Sequence, residues 1–323
     1  MKAIRYYRYG SPEDLKYEEI DIPAAGDDQV LVRVHAASVN PLDWHRLRGL
    51  PYVVRISDGL TKPKNNGLGA DLAGRVEAFG RHVNGFEEGA EVFGMSIRTC
   101  AEYVRVSPEG IAPKPANLSF EQAAAVPVAA LTALQGLRDK GQVQAGQKVL
   151  INGAAGGVGT FAVQLAKSFG AEVTGVCSTR NMDLVRSLGA EHVVDYTRED
   201  FARAGQRYDL ILEAVGNRTL SDCRRVLGPR GTYVLVGAPE GRWIGPVLIP
   251  LKGLLLSRFV SQRMVFFVAK RNKADLLLIK ELIEAGEVTP VIDRSYPLSE
   301  VPDAIRYLEE GHARGKVVIT MPA

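Results

Sequence analysis

The chain has 323 residues, 46% of them hydrophobic, and a formal net charge of +3 at pH 7. The length suits about two domains, and the small charge without a basic run argues against a nucleic-acid-binding surface. Charged residues interrupt the most apolar stretch, 244–269, so no segment reaches the roughly 20 apolar residues of a membrane span. Three scattered cysteines and no apolar signal core at the start predict a cytoplasmic protein without a disulfide framework.

Residues 1–118 are predicted to form a small β-rich domain. Short strands separated by glycine and proline turns are typical of a partly open barrel; they lie at 29–36, 74–78, 90–94 and 101–106. Beyond them, Ser119 and Gln122 have the spacing of a capping box. This pair predicts that one long helix runs from there through Leu137.

A strand, a glycine-rich turn and a helix follow one another at 149–170. When the turn is aligned with G-x-G-x-x-G, Ala154 takes the first glycine place, Gly156 the second and Gly159 the third. Such a turn directs backbone N–H groups and a helix amino terminus at one point, where a pyrophosphate would bind. The pattern therefore predicts a dinucleotide site whose pyrophosphate contacts are Gly156, Gly157 and Val158.

Five further strands follow, and helices separate them. Alternation of apolar strands with helices predicts a doubly wound parallel sheet of the Rossmann type, with ligands at the carboxyl ends of its strands. The strands are predicted at 172–177, 192–196, 208–216, 232–237 and, at an edge of the sheet, 263–268. Helices at 273–284 and 299–310 and a strand at 316–320 are expected to return the chain to the first domain.

The end of the second strand predicts the choice of nucleotide. Sites specific for NAD place an acid there to bind the ribose 2′-OH, but Cys177 is followed by Ser178 and Arg180, with no acid before Asp183. A hydroxyl and a guanidinium suit a 2′-phosphate. We therefore expect NADP(H) to be preferred over NAD(H). The alternative is that Arg180 is a solvated residue at a helix start.

Four motifs occur together in a recognisable order: Ser-Val-Asn-Pro-Leu-Asp at 38–43, Gly-Leu-Gly-Ala-Asp-Leu-Ala-Gly at 67–74, Ala-Ala-Val-Pro at 124–127 and the turn at 153–159. With them, nearly the whole chain resembles the medium-chain dehydrogenase/reductase superfamily, and within it the zinc-free quinone oxidoreductase branch. The resemblance implies a GroES-like catalytic domain at 1–118, completed by 287–323, and a nucleotide domain at 119–286. It also implies an active site in the cleft between them, and a homodimer.

The resemblance also bears on zinc. Alcohol dehydrogenases of the superfamily hold a catalytic zinc with two Cys and one His, and those places fall on Asn40, Ala70 and Val128 here. An amide is a poor zinc ligand, and the other two side chains offer no ligand atom. No metal is therefore expected.

Several single residues acquire roles through the resemblance. Asn40 would lie near the nicotinamide, Tyr52 at the substrate cleft and Thr132 beside the nicotinamide ribose. Their alternatives are a turn residue, a surface tyrosine and a helix-interior residue, respectively. Lys316 would either reach a phosphate or pair with an acid.

The remaining residues assigned to the nucleotide lie at strand ends. Tyr196, after the third strand, matches a tyrosine that the family uses on the adenosine side. Gly237 and Ala238, after the fifth strand, are expected near the nicotinamide. Together these residues predict a zinc-independent NADPH-dependent oxidoreductase that reduces quinones or α,β-unsaturated carbonyls, with small apolar conjugated substrates as its partners. An alcohol or aldehyde reductase and a non-enzymatic NADPH-binding protein are the alternatives.

Overall fold

The computed structural model describes residues 1–203, 205–237 and 260–322. The chain groups into two compact units: the first unit is Met1–Leu131 with Arg271–Ala323, and the second unit is Thr132–Lys270. The domain limits predicted at residues 118 and 286 differ from these bounds, and they remain predictions. One reason for the difference is that the helix at 273–284 packs within the first unit, where the Asn117 amide donates to the Ile283 carbonyl at 2.9 Å.

The described strands and helices follow each other along the chain. The strands are β1 Lys2–Arg5, β2 Lys16–Glu19, β3 Val30–Val39, β4 Asp71–Phe79, β5 Glu91–Met95, β6 Tyr103–Val106, β7 Ile111–Pro113, β8 Lys148–Asn152, β9 Glu172–Cys177, β10 His192–Asp195, β11 Tyr208–Glu213, β12 Leu227–Leu235, β13 Arg263–Phe266, β14 Ile292–Pro297 and β15 Lys316–Thr320. The helices are α1 Pro41–Arg48, α2 Val54–Asp58, α3 Phe120–Ala124, α4 Pro127–Leu134, α5 Gly157–Ser168, α6 Met182–Ser187, α7 Leu220–Val226, α8 Lys273–Glu284 and α9 Val301–Glu309.

The first unit is built on a mainly antiparallel sheet. Its strands follow the order β14-β15-β3-β4-β5-β7, with β6 also paired to β3, while β1 and β2 pair separately. The C-terminal strand β15 runs antiparallel to β3, with Val318 opposite Ser38. In turn, Ser38 lies opposite Asp71 of β4. This register brings residues from three distant parts of the sequence to one place.

The second unit is a six-stranded parallel sheet in the order β10-β9-β8-β11-β12-β13. The strand order reverses between β8 and β11, which is the switch point where doubly wound sheets bind their ligands. The predicted Rossmann architecture is therefore confirmed. Among the described residues, β13 is the last strand on its side of the sheet, although it is shorter than the predicted strand at 263–268.

The predicted long helix from residue 119 through Leu137 is wrong, because the structure breaks it into three pieces. Helix α3 ends at Ala124, α4 begins at Pro127, and a π-helix spans Gln135–Gly141. Proline has no N–H to donate and disfavours helical geometry in the residue before it, so the helix is interrupted at Val126–Pro127. The capping box is present as predicted, since the Gln122 N–H donates to the Ser119 hydroxyl at 3.2 Å.

Each unit buries an apolar core of its own. The core of the first unit draws on β3, β4, α9 and β15, with Val32, Leu72, Ile305 and Val317 among its members. The core of the second unit includes Leu150, Ile211 and Tyr233. Within the described ranges, the helices are too short or too polar to cross a bilayer.

Candidate active site

The glycine-rich turn connects β8 to α5 at the switch point of the parallel sheet. Gly153 has a φ of 83°, a left-handed conformation that favours glycine. A Cβ on Gly159 would lie 2.0 Å from the Gly153 carbonyl oxygen, so only glycine lets α5 pack this closely against the turn. At Gly156, the N-cap of α5, a Cβ would approach the same oxygen no closer than 3.4 Å.

These positions fit a dinucleotide phosphate. Gly156, Gly157 and Val158 are all partly exposed at the amino end of a twelve-residue helix. The first N–H groups of a helix have no partners within the helix, and its dipole favours a negative charge there. The open space beside Gly156 is where a side chain would otherwise stand, so a phosphate can approach the backbone closely.

A buried polar pair adjoins this turn at the end of β8. Glu213, at the end of β11, is fully buried, and both of its carboxylate oxygens accept from the Asn152 amide at 2.8 Å. It also accepts from the N–H groups of Val215 and Gly216 at 3.0 and 2.9 Å. Burial raises the pKa of Glu213. The pair fixes the chain after β8 and β11, and the sequence analysis missed it. Its only sequence signal is a polar residue at the end of each of two apolar strands.

The predicted adenosine residues meet at the ends of β9 and β10. Cys177 and Asp195 are paired in the parallel ladder, so Ser178 and Tyr196 leave the sheet side by side. Tyr196 is 49% exposed, and Arg180 is exposed in the turn before α6. The structure therefore brings these three predicted residues to one edge of the sheet.

One acid lies at the same edge. The Asp195 carboxylate accepts hydrogen bonds from the hydroxyls of Thr179 and Thr197, at 2.5 and 2.7 Å. These bonds lower its pKa, the bond from Thr179 most of all. Asp195 ends the third strand of this unit, whereas the acid that binds the ribose in NAD-specific sites ends the second.

The other predicted nucleotide residues are placed less completely. Gly237 follows β12, and its N–H donates to the Glu213 carbonyl at 3.2 Å. Thr132 is partly exposed on α4. Ala238 lies outside the described residues. The nicotinamide side of the site therefore stays a prediction at these positions.

In the first unit, the structure assembles a buried polar cluster around Asp71. One carboxylate oxygen, Oδ2, accepts from the Ser38 hydroxyl at 2.6 Å, the Asn40 amide at 2.9 Å and the Lys316 ammonium at 3.0 Å. The other oxygen, Oδ1, accepts from the Val128 N–H at 2.7 Å. The side chains at most 4% exposed are those of Ser38, Asn40, Asp71 and Lys316. A buried carboxylate is tolerated only when it is paired and hydrogen-bonded in this way.

The cluster fixes the orientation of Asn40. Its side-chain oxygen accepts from the Lys316 ammonium at 2.5 Å, while its NH₂ group donates to Asp71. Opposite charges thus hold the two ends of the amide. Of the two roles predicted for Lys316, pairing with an acid is the one that these contacts display.

A second buried carboxylate supports the same region. Asp43 accepts from the backbone N–H groups of Asn40 and Gly69, both at 2.8 Å. Burial raises its pKa to about 6, and this effect outweighs the two hydrogen bonds. The neighbouring Cys100 thiol is also buried, which raises its pKa well above the ordinary value, so it remains protonated and unreactive. Asp43 therefore braces the start of α1.

Tyr52 lies in the turn between α1 and α2 and is partly buried. Its ring faces the guanidinium of Arg55, whose Cζ lies 4.9 Å from the ring centroid. The structure thus places Tyr52 beside a cation, a neighbour that the sequence analysis did not identify.

The positions that hold zinc in related dehydrogenases are occupied differently here. Asn40 and the Val128 N–H belong to the Asp71 cluster, and Ala70 is buried. In the described part of the chain, no group of three or more His, Cys, Asp or Glu residues could hold a metal ion. The residue types at these places do not fit a catalytic zinc.

Comparison with known families and proteins gives this geometry a context. A family model described as "Alcohol dehydrogenase GroES-like domain" matches residues 26–134, and one described as "Zinc-binding dehydrogenase" matches residues 188–319. The 2-methylene-furan-3-one reductase of Solanum lycopersicum is 37% identical, covering 99% of this chain and 79% of that protein. The chain belongs to the medium-chain dehydrogenase/reductase superfamily, in its quinone oxidoreductase-like branch.

Two further relatives agree with this membership of the superfamily. The chloroplastic NADPH-dependent alkenal/one oxidoreductase of Arabidopsis thaliana is 36% identical over 99% of this chain and 79% of its own length. The structure of the quinone oxidoreductase from Coxiella burnetii superposes with a TM-score of 0.87 at 33% identity, covering 100% of this chain and 99% of that one. This member of the superfamily is an NAD(P)H-dependent oxidoreductase, and the family predicted from the four sequence motifs is confirmed.

Proposed function

We propose that this oxidoreductase uses NADPH to reduce quinones or α,β-unsaturated carbonyls, without a metal ion. The observation that carries the proposal is the turn from β8 into α5, with open space at Gly156 and close packing at Gly159. Its backbone N–H groups would bind the pyrophosphate, and Ser178 and Arg180 would bind the 2′-phosphate. The bound nicotinamide would supply a hydride to the acceptor.

Independence of zinc follows from the residues at the ligand places. Ala70 and Val128 have no ligand atom in their side chains, and both ends of the Asn40 amide are engaged by charged partners. A zinc dehydrogenase uses the metal as a Lewis acid to stabilise an alkoxide. Because a conjugated acceptor spreads the negative charge over its own oxygen, it needs less of that support. This favours quinones and enones over simple alcohols and aldehydes.

The substrate class is also supported by the relatives, whose names include an alkenal/one oxidoreductase, a 2-methylene-furan-3-one reductase and a quinone oxidoreductase. On this chain, we assign to Tyr52 the hydrogen bond from its phenol to the oxygen of the reduced acceptor. Asn40 would act as a fixed polar group held by Lys316 and Asp71. Neither Tyr52 nor Asn40 has to act as the acid, since solvent can supply the proton that completes the reduction.

The test is a panel of quinones, enones, aldehydes and alcohols, with NADPH oxidation followed by absorbance before and after treatment with a chelator. Turnover of quinones or enones that survives removal of metal supports the proposal. Stoichiometric zinc whose removal abolishes turnover would contradict it, as would turnover confined to alcohols and aldehydes.

A pair of glycine substitutions tests the nucleotide turn itself. Gly156→Ala adds a methyl group with ordinary contacts in the protein, 3.4 Å from the Gly153 oxygen, but it fills the space proposed for the phosphate. Gly228→Ala is the matched control, because its methyl group would lie 3.5 Å from the Tyr208 oxygen in the ladder between β11 and β12. We expect only the first variant to weaken NADPH binding. Equal binding by both variants would remove the turn from the site.

We also propose that the protein is a homodimer. In the order of the described strands, β13 ends the parallel sheet, and Val268 just beyond it is 84% exposed. An edge strand with no described strand on its outer side can pair with its copy across a two-fold axis. Val268→Lys should produce monomers in sedimentation, whereas Ile22→Lys, at an apolar residue exposed in the first unit, should not. A parent protein that is already monomeric at micromolar concentration would contradict the proposal.

The cytoplasm is the compartment that we propose for this reaction. All three cysteines are free and buried, which agrees with a reducing environment. The Arabidopsis relative is named as chloroplastic, so fractionation of the native cells is the measurement that decides.

A further inference from the structure

One arginine of the first unit contacts two tyrosines at once. The Cζ atom of Arg55 lies over the ring of Tyr9 at 4.5 Å from its centroid, and over the ring of Tyr52 at 4.9 Å. The Arg55 Nε–H also donates to the Gly49 carbonyl at 3.0 Å. A single guanidinium therefore links the segment after β1, the end of α1 and the turn that carries Tyr52.

The neighbours that locate Arg55 do not depend on Tyr52. The Tyr9 hydroxyl donates to the Gly59 carbonyl at 2.5 Å, so its ring is tied to the end of α2. Gly49 is the left-handed C-cap of α1, with a φ of 59°. A Cβ at Gly49 would lie 2.7 Å from both Arg55 Nε and the Tyr9 ring. The Arg55 guanidinium is thus fixed by close packing against Tyr9 and Gly49. Of its two aromatic neighbours, Tyr52 is the one whose position would depend on it.

An ion pair with a buried carboxylate fixes the two helices on either side of this arrangement. Arg46 of α1 contacts the Asp58 carboxylate at the end of α2 at 3.2 Å, and Asp58 is only 7% exposed. The two helices on either side of Tyr52 are therefore held together by contacts separate from the Arg55 cation. This separation lets a substitution at Arg55 change the position of Tyr52 without unfolding the helices.

We propose that Arg55 is a positioning residue that holds the phenol of Tyr52 where it meets the oxygen of the acceptor. The inference rests on the proposed function, in which Tyr52 donates to that oxygen. A guanidinium over an aromatic ring is attracted by the ring's quadrupole, and its plane can contact a ring while its N–H groups reach a carbonyl. Arg55 acts through Tyr52. A small displacement of the Tyr52 phenol would lower the rate of reduction steeply, even if the substrate still bound.

The kinetic test compares substitutions of Arg55 with a matched arginine. We expect Arg55→Met to lower kcat for an enone about 10-fold, while the dissociation constant of NADPH stays unchanged. Arg55→Lys should not restore the rate, because an ammonium cannot reproduce the planar contacts. Arg75→Met is the control: Arg75 also lies over an aromatic ring, that of Phe120 at 5.8 Å, but it has no part in the proposed site.

A double-mutant cycle shows whether Arg55 acts through Tyr52. In a Tyr52→Leu background, Arg55→Met should change kcat by no more than about 2-fold, since the residue that it positions is gone. Added guanidinium ion, at concentrations that leave the far-UV spectrum unchanged, should partly restore Arg55→Ala but not Tyr52→Leu. Fully additive effects of the two substitutions, or equal losses in Arg55→Met and Arg75→Met, would overturn the proposal.

A second readout separates this inference from the proposed function. With 3-fluorotyrosine at position 52, the fluorine resonance reports the surroundings of the ring without any turnover. We expect Arg55→Met to shift or broaden it and Arg75→Met to leave it unchanged. If the parent reduces no quinone or enone, the proposed function fails, and the fluorine result still decides whether Arg55 positions Tyr52. An unchanged resonance in Arg55→Met overturns the positioning role.

Discussion

The two units build their polar sites from different parts of the chain. In the second unit, the turn at 153–159 is one contiguous stretch, and its binding groups are backbone N–H groups at a helix start. In the first unit, the Asp71 cluster takes side chains from residues 38, 40 and 316 and an N–H from residue 128. The first arrangement needs only local conformation, whereas the second needs the whole sheet in register.

The two sites also differ in whether they contain charged side chains. The nucleotide turn contains no charged side chain and stays partly exposed, so it carries no desolvation penalty before a ligand binds. The Asp71 cluster buries a carboxylate and an ammonium that are 0% and 4% exposed in their side chains. Such a pair contributes little net stability when intact, yet loss of one partner is costly. The Asp71 cluster should therefore be more sensitive to single side-chain changes than the nucleotide turn.

The largest expected effect comes from breaking the buried pair. Lys316→Met should lower the free energy of unfolding by about 3–5 kcal/mol, because the Asp71 carboxylate stays buried without its cation. Lys280→Met is the control, since Lys280 pairs with Glu284 on a partly exposed helix face and should cost at most about 1 kcal/mol. Urea unfolding followed by circular dichroism measures both. Similar losses in the two variants would mean that burial adds nothing to the cluster.

In the second unit, the sharpest test concerns the nucleotide's 2′-phosphate. A charged hydrogen bond contributes about 1.5–3 kcal/mol, so Arg180→Ala should weaken NADPH binding roughly 10- to 150-fold. It should barely change NADH, which has no 2′-phosphate. Ser178→Asp should weaken NADPH further, because it adds repulsion and offers an acceptor to a free 2′-OH.

The control for this test is Arg186→Ala. Arg186 lies on α6 and pairs with the exposed Asp183 at 3.1 Å, so its removal should affect neither nucleotide. Dissociation constants of both nucleotides for the parent and the variants are the measurement. Equal weakening of NADPH and NADH by Arg180→Ala would remove the basis for the assignment, as would a parent that binds NADH more tightly.

The helix cap at Ser119 in the first unit allows a local interaction to be compared with the buried cluster. The Ser119 hydroxyl accepts from the Gln122 N–H at the start of α3, so Ser119→Ala should cost about 1 kcal/mol of unfolding free energy. Ser107 is also an N-cap residue but makes no side-chain cap hydrogen bond, and Ser107→Ala should be nearly neutral. If Ser119→Ala were equally neutral, the local device would contribute little beside the buried cluster.

The smallest effect is a pH dependence at α1. His45 packs its ring against Trp44, and its Nδ1 lies 2.8 Å from the Leu50 carbonyl oxygen. Burial lowers the His45 pKa from its ordinary value of 6.5. Below pH 6.5 the imidazole of the unfolded chain takes up a proton, whereas that of the folded chain stays neutral until the pH reaches its lower pKa. The free energy of unfolding therefore decreases as the pH falls through this range.

His45→Gln should remove this part of the pH dependence. We expect the stability of the parent, relative to that of the variant, to decrease as the pH falls below 6.5. Urea midpoints at several pH values between neutrality and mild acid provide the measurement. Parallel pH curves for the parent and the variant would show that His45 does not titrate differently in the folded state.

The sequence by itself determined the features that depend on contiguous residues. The Rossmann turn at 153–159, the capping box at Ser119 and the alternation of strands and helices were all predicted, because spacing along the chain fixes local conformation. The break at Pro127 was missed even though proline signals it, since a capping box predicts where a helix begins but not where it ends.

Only the tertiary structure decided which distant side chains meet. Ser38 and Asp71 face each other because β3 and β4 pair in one register. The pairing of the C-terminal strand β15 with β3 brings Lys316 to the same place. A shift of one residue in either ladder would turn those side chains to the opposite face of the sheet. The same holds for Asn152 and Glu213 in neighbouring strands, and for Arg55 between Tyr9 and Tyr52. Each residue type was visible in the sequence, but its partner was set by strand pairing and by the packing of α1 against α2.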